Sequence, residues 1–334
     1  MPGRRLTQVA AVVLVLGLAG CMFEQIGRYQ DRSRFKQIGR SVNIGGRTLN
    51  LSCVGQGSPT VVFDTYGHQS GYSWVAVQAA VAKYTRACWY DRAGYGWSEL
   101  GPSPRTFQSV ASDLHALLQE AGIPSPIVLV GAGDAASHIR VYSGSYPTEV
   151  GGIVMLDGND VDDPALQIPD SEKGGFQRLF GTWAPGARRT LCWTQPLLGA
   201  AGILRLASLF GKPRKTNSFG LTPEQHAELD YLSDNGTTLQ ATEVCAREES
   251  MRQVRAAGGL RSVPLVVIVS KTGRHGSTSQ DLTEAEEKNR VGKVPNALIG
   301  LSTNGRVVLI EGGLQPEAIV RSILDVLQTD QGSK

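Results

Sequence analysis

The segment Pro126–Ala136 has the residue types and spacing of a catalytic turn without a catalytic side chain. The apolar run Ile127–Val130 predicts a buried central strand, and Ala135–Tyr146 predicts a helix directly after it. A sharp turn between a strand and a helix is where many enzymes hold a nucleophilic Ser, Cys or Asp, in the pattern G-x-S-x-G. Gly133 occupies the position of that nucleophile.

Glycine meets the steric requirement of this turn but not its chemical requirement. The apex residue of such a turn has a strained backbone, which costs about 1–3 kcal/mol for a residue with a side chain and much less for glycine. Gly131 and Ala135, two residues on either side of Gly133, would let the strand and the helix approach closely. An ordinary glycine-rich connection is the alternative interpretation.

Other polar residues near the turn are candidates for acid–base chemistry. Asp134 and His138 are four residues apart on the predicted helix and can face the same way. Asp134 is also a plain helix-start acid, stabilised there by about 0.3–1 kcal/mol. The residues that could join them are Asp64, His68, Asp157 and Asp160. No spacing matches a metal signature, so neither a metal nor a cofactor is predicted. The remaining histidines are expected in polar surroundings: His115, His226 and His275.

Composition limits the class of protein. The chain has 334 residues, 41% of them hydrophobic, and a formal net charge of +3. The small net charge and the lack of a long basic run argue against a nucleic-acid partner. A chain of this length is typical of one α/β domain with an insertion.

The first 21 residues resemble a secretory signal. Arg4 and Arg5 precede the apolar run Val9–Phe23, which is shorter than the roughly 20 residues of a spanning helix. Leu18–Cys21 is similar to a bacterial lipobox, which implies lipidation of Cys21 after cleavage. An uncleaved membrane anchor is the alternative. Both interpretations place the folded domain outside the cytoplasm, attached to the bacterial cell-envelope membrane.

Residues 22–40 are polar and basic, and they predict a tether. The tether either touches anionic head groups or is a plain solvated linker. Its basic residues are Arg28, Arg32, Arg34, Lys36 and Arg40. Beyond Cys21, an even number of cysteines is consistent with an oxidising compartment. These cysteines are Cys53, Cys88, Cys192 and Cys245, and three pairings or free thiols remain open.

Residues 41–159 and 261–330 predict an α/β core. An N-terminal hairpin is predicted from Ser41–Ile44 and Arg47–Cys53 around two glycines. The further strands are Thr60–Asp64, Arg86–Tyr90, Gly152–Leu156, Val263–Ser270 and Arg306–Ile310. Helices are predicted at Trp74–Val81, after a cap at Thr106, and from Pro316. This alternation predicts a mostly parallel sheet covered on both faces.

Residues 160–260 lack the strand pattern and predict a helical cap over the carboxyl edge of the sheet. Leu197–Phe210 is apolar, Thr222–Gln225 has the capping-box pattern, and Leu239–Ala257 suits a helix. Because basic residues flank Leu197–Phe210, an alternative is that this helix rests on a membrane.

The run Tyr90–Ser98 resembles the hallmark segment of bacterial α/β-hydrolase-fold proteins, particularly a subgroup with an N-terminal signal or membrane segment. The resemblance extends over most of the chain through weaker matches such as Val154–Asp157. It implies an α/β-hydrolase fold, with a mostly parallel eight-stranded sheet, flanking helices and a helical cap insertion. It also implies that the second and fourth strands are neighbours, which favours the pairs Cys53–Cys88 and Cys192–Cys245.

The family's catalytic triad is degenerate in this chain. The serine position is Gly133, and the family's histidine would fall in Glu311–Pro316, which contains none. Asp157 could serve as the acid, whereas Lys271–Arg274, after the next strand, has no acid. The resemblance implies that backbone N–H groups near Gly67 and His68 and the N–H of Asp134 form the oxyanion hole, and these donors do not depend on the serine.

These observations predict a membrane-tethered pseudo-hydrolase that binds a small apolar or ester-like ligand, or a protein partner. The alternative is an active hydrolase of ester or amide bonds that uses non-standard residues. Its candidate catalytic residues are Asp134, His138, Asp157 and His68.

Overall fold

One sheet forms the centre of the computed structural model. Its strands are β1 (Arg40–Asn43), β2 (Thr48–Val54), β3 (Thr60–Asp64), β4 (Ala87–Tyr90), β5 (Ile127–Ala132), β6 (Val150–Leu156), β7 (Leu265–Ser270) and β8 (Gly305–Ile310). Their order is β1-β2-β4-β3-β5-β6-β7-β8. The structure describes residues 2–34, 36–65, 67, 69–158, 201–208, 220–234, 237–270, 294–311 and 314–331.

The pairing of the strands confirms the predicted sheet. β1 and β2 form the predicted antiparallel hairpin, and β2 also pairs antiparallel with β4. The pairs from β4 through β3, β5, β6 and β7 to β8 are all parallel. The carboxyl ends of these six strands therefore meet at one edge, where ligand sites of open α/β sheets lie.

Helices cover both faces of the sheet. They are α1 (Pro2–Arg34), α2 (Val75–Val81), α3 (Phe107–Glu120), α4 (Ala135–Ser145), α5 (Ile203–Ser208), α6 (Pro223–Asp234), α7 (Thr237–Ala256), α8 (Val294–Ile299) and α9 (Pro316–Gln331). Thr106 caps α3 as predicted, because its side chain accepts a hydrogen bond from the Ser109 N–H. At the start of α6, Thr222 and Gln225 exchange the two hydrogen bonds of a capping box.

The hydrophobic core has one layer on each side of β5. Ile127 and Leu129 pack in the layer that contains α3 and α4, whereas Val128 and Val130 pack in the layer that contains α2 and α9. A strand with both faces buried lacks polar alternation, which explains the unbroken apolar run in the sequence. The core therefore fixes the position of the turn that follows β5.

The run Tyr90–Ser98 forms a hydrogen-bonded turn around Asp91. The buried Asp91 carboxylate accepts hydrogen bonds from Ser70, Gly71, Asn50 and Trp97. Gly96 has a φ of +50°, and a Cβ on it would lie 2.2 Å from Asp91 Oδ2. Asp91 and Gly96 therefore build this turn.

The N-terminal segment is helical through most of the predicted tether. Helix α1 continues through residues 22–34, and the role of this stretch as a tether stays a prediction. Glu24 of α1 pairs with Arg205 of α5 at 2.9 Å, which joins the helix to the cap. Among the described helices, none combines the length and the apolar composition of a membrane span.

The cysteines follow the predicted pairing where the structure describes them. Cys53 and Cys88 form a disulfide between directly opposed positions of β2 and β4, with their Cα atoms 4.1 Å apart. Cys245 is also disulfide-bonded. Cys192, its predicted partner, lies outside the described residues. Cys21 is free and exposed on α1.

Candidate functional site

The turn between β5 and α4 has the geometry predicted for a nucleophile elbow. Gly133, at its apex, has a φ of +60°, in the left-handed region that side chains rarely adopt. Its N–H donates to the carbonyl of Leu156 at the end of β6, at 2.8 Å. The backbone therefore holds the apex at the carboxyl edge of the sheet, but no side chain projects from it.

Small residues on either side of the apex are required by packing. A Cβ on Gly131 would lie 2.6 Å from Ile139 Cδ1 and 3.0 Å from the Cβ of Ala135. Strand and helix approach each other at this point as closely as the sequence predicts. The turn therefore retains the shape that presents a nucleophile in catalytic members of this fold.

The Asp134 carboxylate is hydrogen-bonded to one of the predicted oxyanion-hole donors. Asp134 Oδ1 accepts a hydrogen bond from the Gly67 N–H at 2.7 Å, across the edge of the sheet. Its side chain makes no capping hydrogen bond to α4. An anion that used the Gly67 N–H would have to displace this carboxylate. Of the two other predicted donors, the Asp134 N–H is at the start of α4, and His68 lies outside the described residues.

Asp64, Arg92 and His138 form a buried charged cluster beside the elbow. His138 Nδ1 lies 3.0 Å from Asp64 Oδ2 and 2.9 Å from Arg92 Nη1. The side chains of Arg92, Asp64 and His138 are only 1%, 2% and 5% exposed. Asp64 ends β3, Arg92 follows β4 and His138 lies on α4, so the cluster links three neighbouring elements.

The cluster restrains the imidazole of His138. One ring nitrogen can donate to Asp64 or accept from Arg92, but it cannot do both at once. The ring of Phe107 packs edge-on against the imidazole, with centroids 4.6 Å apart. Asp64 and His138 are predicted candidates for one cluster, and the structure brings these two together.

Arg92 and its neighbours were not recognised from the sequence. Burial opposes the Arg92 charge, but the carboxylates of Asp64 and Glu243 outweigh it and raise the pKa of Arg92. The guanidinium lies over the Tyr95 ring, 5.3 Å from its centroid. Tyr95 donates a hydrogen bond to Glu243 of α7 at 3.1 Å. The available signal was that Arg92 lies two residues after a buried strand, at the carboxyl edge of the sheet.

Asp157 ties two strand ends together. Its Oδ1 accepts a hydrogen bond from the N–H of Ser270, the last residue of β7, at 3.0 Å. Its φ is +42°, which is unusual for a residue with a side chain. Asp157 directly follows β6, and this hydrogen bond gives its carboxylate a structural role; that it could serve as a triad acid stays a prediction.

The other polar candidates have structural partners. His115, expected in the polar arc of α3, pairs with Glu149 at 2.9 Å and stacks on Tyr146, so it is half-buried. His226 is likewise half-buried. Two further candidates, Asp160 and His275, lie outside the described residues. Within the described residues, no group of three or more His, Cys, Asp or Glu side chains is arranged to hold a metal ion.

Comparison with solved structures shows the α/β-hydrolase fold. An epoxide hydrolase from Vigna radiata superposes with a TM-score of 0.62 at 18% identity, over 88% of this chain and 99% of that chain. An enol-lactonase from Burkholderia xenovorans LB400 superposes with a TM-score of 0.57 at 15% identity, over 86% and 100%. A thermophilic esterase from Thermogutta terrifontis gives 0.57 at 16%, over 87% and 98%. At such identities the likeness shows the fold alone, and the predicted fold class is confirmed.

Comparison by sequence finds relatives of undetermined function. An uncharacterised protein of Schizosaccharomyces pombe is 33% identical over 139 residues, which is 41% of this chain and 23% of that protein. An uncharacterised vacuolar membrane protein of Saccharomyces cerevisiae is 30% identical over 103 residues, or 30% and 16%. The Bacillus subtilis protein YbdG is 23% identical over 151 residues, or 45% and 46%. The chain spans less than half the length of these relatives. No family model matches it.

Proposed function

We propose that this chain is a non-catalytic α/β-hydrolase-fold protein, extracytoplasmic and attached to the bacterial cell-envelope membrane, that binds a small apolar or ester-like ligand beneath its cap. The fold supplies a ligand site at the carboxyl edge of its sheet, where α/β proteins bind small molecules. Loss of hydrolytic chemistry leaves that site as a binding site.

The observation that carries this proposal is the state of the elbow. Gly133 has no reactive atom, so the elbow cannot carry out nucleophilic catalysis. The Asp134 carboxylate sits on the Gly67 N–H, where a negative charge opposes an oxyanion. The position of the nucleophile and one donor of the oxyanion hole are therefore both unsuited to acyl transfer.

Membrane attachment is supported by two independent features. Cys21 is exposed and ends a lipobox-like sequence, so it is available for lipidation. A relative from Saccharomyces cerevisiae is a vacuolar membrane protein. Metabolic labelling with a fatty acid analogue tests the attachment, because Cys21→Ser should lose the label and the wild type should carry it.

The test of the inactive site is an esterase assay on the purified chain with activated short-chain esters. We expect no turnover by the wild type and none by Gly133→Ser, since the loop before α9 offers no histidine to activate the new hydroxyl. Turnover by the wild type would overturn the proposal. If the proposal is right, native mass spectrometry of the same preparation should detect a co-purifying small molecule.

The contact between His138 and Asp64 favours one second candidate, hydrolysis through an acid–base pair outside the elbow. In that case the wild type would cleave esters or amides, and His138→Ala and Asp64→Asn would each abolish the activity. An activity that survives both substitutions would eliminate this candidate and would point to a contaminating enzyme.

A further inference from the structure

Helices α1 and α5 are packed together closely enough to act as one surface. A Cβ on Gly20 of α1 would lie 2.1 Å from the Ala201 carbonyl oxygen, and one on Gly202 would lie 2.6 Å from the Gly20 carbonyl oxygen. The ion pair between Glu24 and Arg205 joins the same two helices one turn further along. The start of α5 is therefore fixed beside α1.

Both helices expose large apolar side chains. On α5, Ile203 and Leu206 are 48% and 51% exposed. On α1, the exposed apolar side chains are Val12, Leu14, Val15, Leu16, Leu18, Met22, Phe23 and Ile26. Elsewhere in the described chain, large exposed apolar side chains are scattered singly, as is normal for a protein surface. The surface formed by these ten residues is called here the α1–α5 surface.

The described chain covers only one stripe of α1. Gly20, Glu24 and Gly27 recur at helical spacing and face α5, since a Cβ on Gly27 would lie 2.7 Å from the Arg205 guanidinium. At 3.6 residues per turn, the exposed apolar side chains occupy more than half of the circumference of α1. A helix with apolar residues on most sides belongs in an apolar medium.

The charge pattern indicates which apolar medium this is. In the sequence, basic residues flank the apolar run Val9–Phe23 at both ends: Arg4 and Arg5 before it, and Arg28, Arg32, Arg34 and Lys36 after it. Basic residues next to apolar segments complement anionic lipid head groups, with about 1 kcal/mol for each Lys or Arg near the surface. A lipid bilayer offers an apolar interior beside such a charged surface, whereas a protein partner would need a matching acidic rim.

We propose that the α1–α5 surface contacts an anionic phospholipid bilayer, so that Ile203 and Leu206 of the cap enter the same membrane that holds the N-terminal segment. This inference rests on the proposed membrane attachment and extends it. Residues 1–20 belong to the surface in the uncleaved chain; after cleavage before Cys21, the surface consists of Met22, Phe23, Ile26, Ile203 and Leu206, beside the lipidated cysteine. Attachment through a lipid on Cys21 alone would not fix the orientation of the domain relative to the bilayer. A second contact through α5 fixes its orientation, with the cap on the membrane side.

The test uses the full chain in vesicles of phosphatidylethanolamine and phosphatidylglycerol. The photoreactive residue benzoylphenylalanine is placed at Leu206 in one variant and at Leu309 in a matched control. Leu309 is equally exposed, at 49%, but lies on β8. After irradiation, we expect the Leu206 variant to acquire cross-linked phospholipid and the control to acquire several-fold less.

The outcomes separate this inference from the attachment on which it rests. If the wild-type chain does not float with the vesicles, the attachment itself is wrong. If it floats but Leu206 labels lipid no better than Leu309, or cross-links to a second copy of the chain, the α5 contact is wrong and the attachment stands. Glu24→Ala provides a second measurement: loss of the ion pair should lower labelling at Leu206 while flotation persists.

Discussion

The turns that follow β4 and β5 reach the same edge of the sheet, and they differ in what their side chains do. After β4, the Asp91 carboxylate accepts four hydrogen bonds, and the turn is built around it. After β5, Gly133 contributes no side chain, and the Asp134 carboxylate bonds to the facing loop. At the turn after β5, a buried strand, a left-handed apex and a helix are in place, and no reactive side chain stands at the apex. The backbone shape of a turn at this edge of the sheet therefore does not depend on a reactive side chain at its apex.

The largest expected loss of stability comes from a substitution in the turn after β4. Asp91→Ala would leave the donors of Ser70, Gly71, Asn50 and Trp97 buried without their acceptor. Each such group costs about 1–3 kcal/mol, so we expect the free energy of unfolding to fall by at least about 3 kcal/mol. Urea unfolding followed by circular dichroism measures this change. Asp91→Asn is the control. Its amide oxygen still accepts hydrogen bonds, so the free energy of unfolding should fall by less than in Asp91→Ala. A loss below 1 kcal/mol for Asp91→Ala would contradict the structural role.

The two glycines provide a matched pair of substitutions. Gly96→Ala places a Cβ 2.2 Å from Asp91 Oδ2 and adds left-handed strain, so we expect a loss of about 2–5 kcal/mol. Gly133→Ala adds backbone strain at a φ of +60°, with an expected loss of about 1–3 kcal/mol. Both are measured by urea unfolding. Equal losses at the two sites would show that the contact with Asp91 relaxes at little cost.

The sequence predicted the fold because its signals were local. The apolar run of β5, the cap at Thr106 and the capping box at Thr222 each depend on neighbouring residues, and the structure has all three. The expected contact between Cys53 and Cys88 came from the resemblance, which supplied the order of strands that no local pattern contains. The sequence does not indicate that α1 continues through residues 22–34, because this polar stretch lacks the apolar pattern of a packed helix.

The site was predictable only in part. The degenerate elbow follows from the residue at one position, Gly133, and is visible in the sequence. Asp134 and Gly67 are 67 positions apart and His138 and Asp64 are 74 apart, so the sequence could name Asp64 and His138 as candidates for one cluster, but their contact and the bond from Gly67 to Asp134 depend on the fold. Arg92 was missed because an arginine within a turn motif carries no spacing signal of its own.

A smaller effect is expected when the carboxylate of the second turn is removed. Asp134→Ala abolishes one hydrogen bond to the Gly67 N–H, so the free energy of unfolding should fall by about 0.5–1.5 kcal/mol. The Gly67 amide should also exchange with solvent faster, which hydrogen exchange detects. Asp134→Asn retains an acceptor oxygen and should protect the amide better than Asp134→Ala. Unchanged exchange in Asp134→Ala would mean that another group also protects this N–H.

An effect of similar size concerns the contact between the turn after β4 and the cap, and it depends on pH. Burial, followed by the charge of Glu243, raises the pKa of Tyr95 in the folded chain. An unfolded tyrosine ionises near pH 10, so the stability due to this group is complete below about pH 10 and is lost as pH rises toward the pKa of the folded chain.

Tyr95→Phe removes the hydrogen bond to Glu243 and should lower the free energy of unfolding by about 0.5–1.5 kcal/mol at neutral pH. Because the variant has no phenol to ionise, the difference from the wild type should shrink above about pH 10. Urea unfolding at neutral and alkaline pH measures both quantities, and a difference that grows with pH would show that Tyr95 ionises more readily in the folded chain than in the unfolded one.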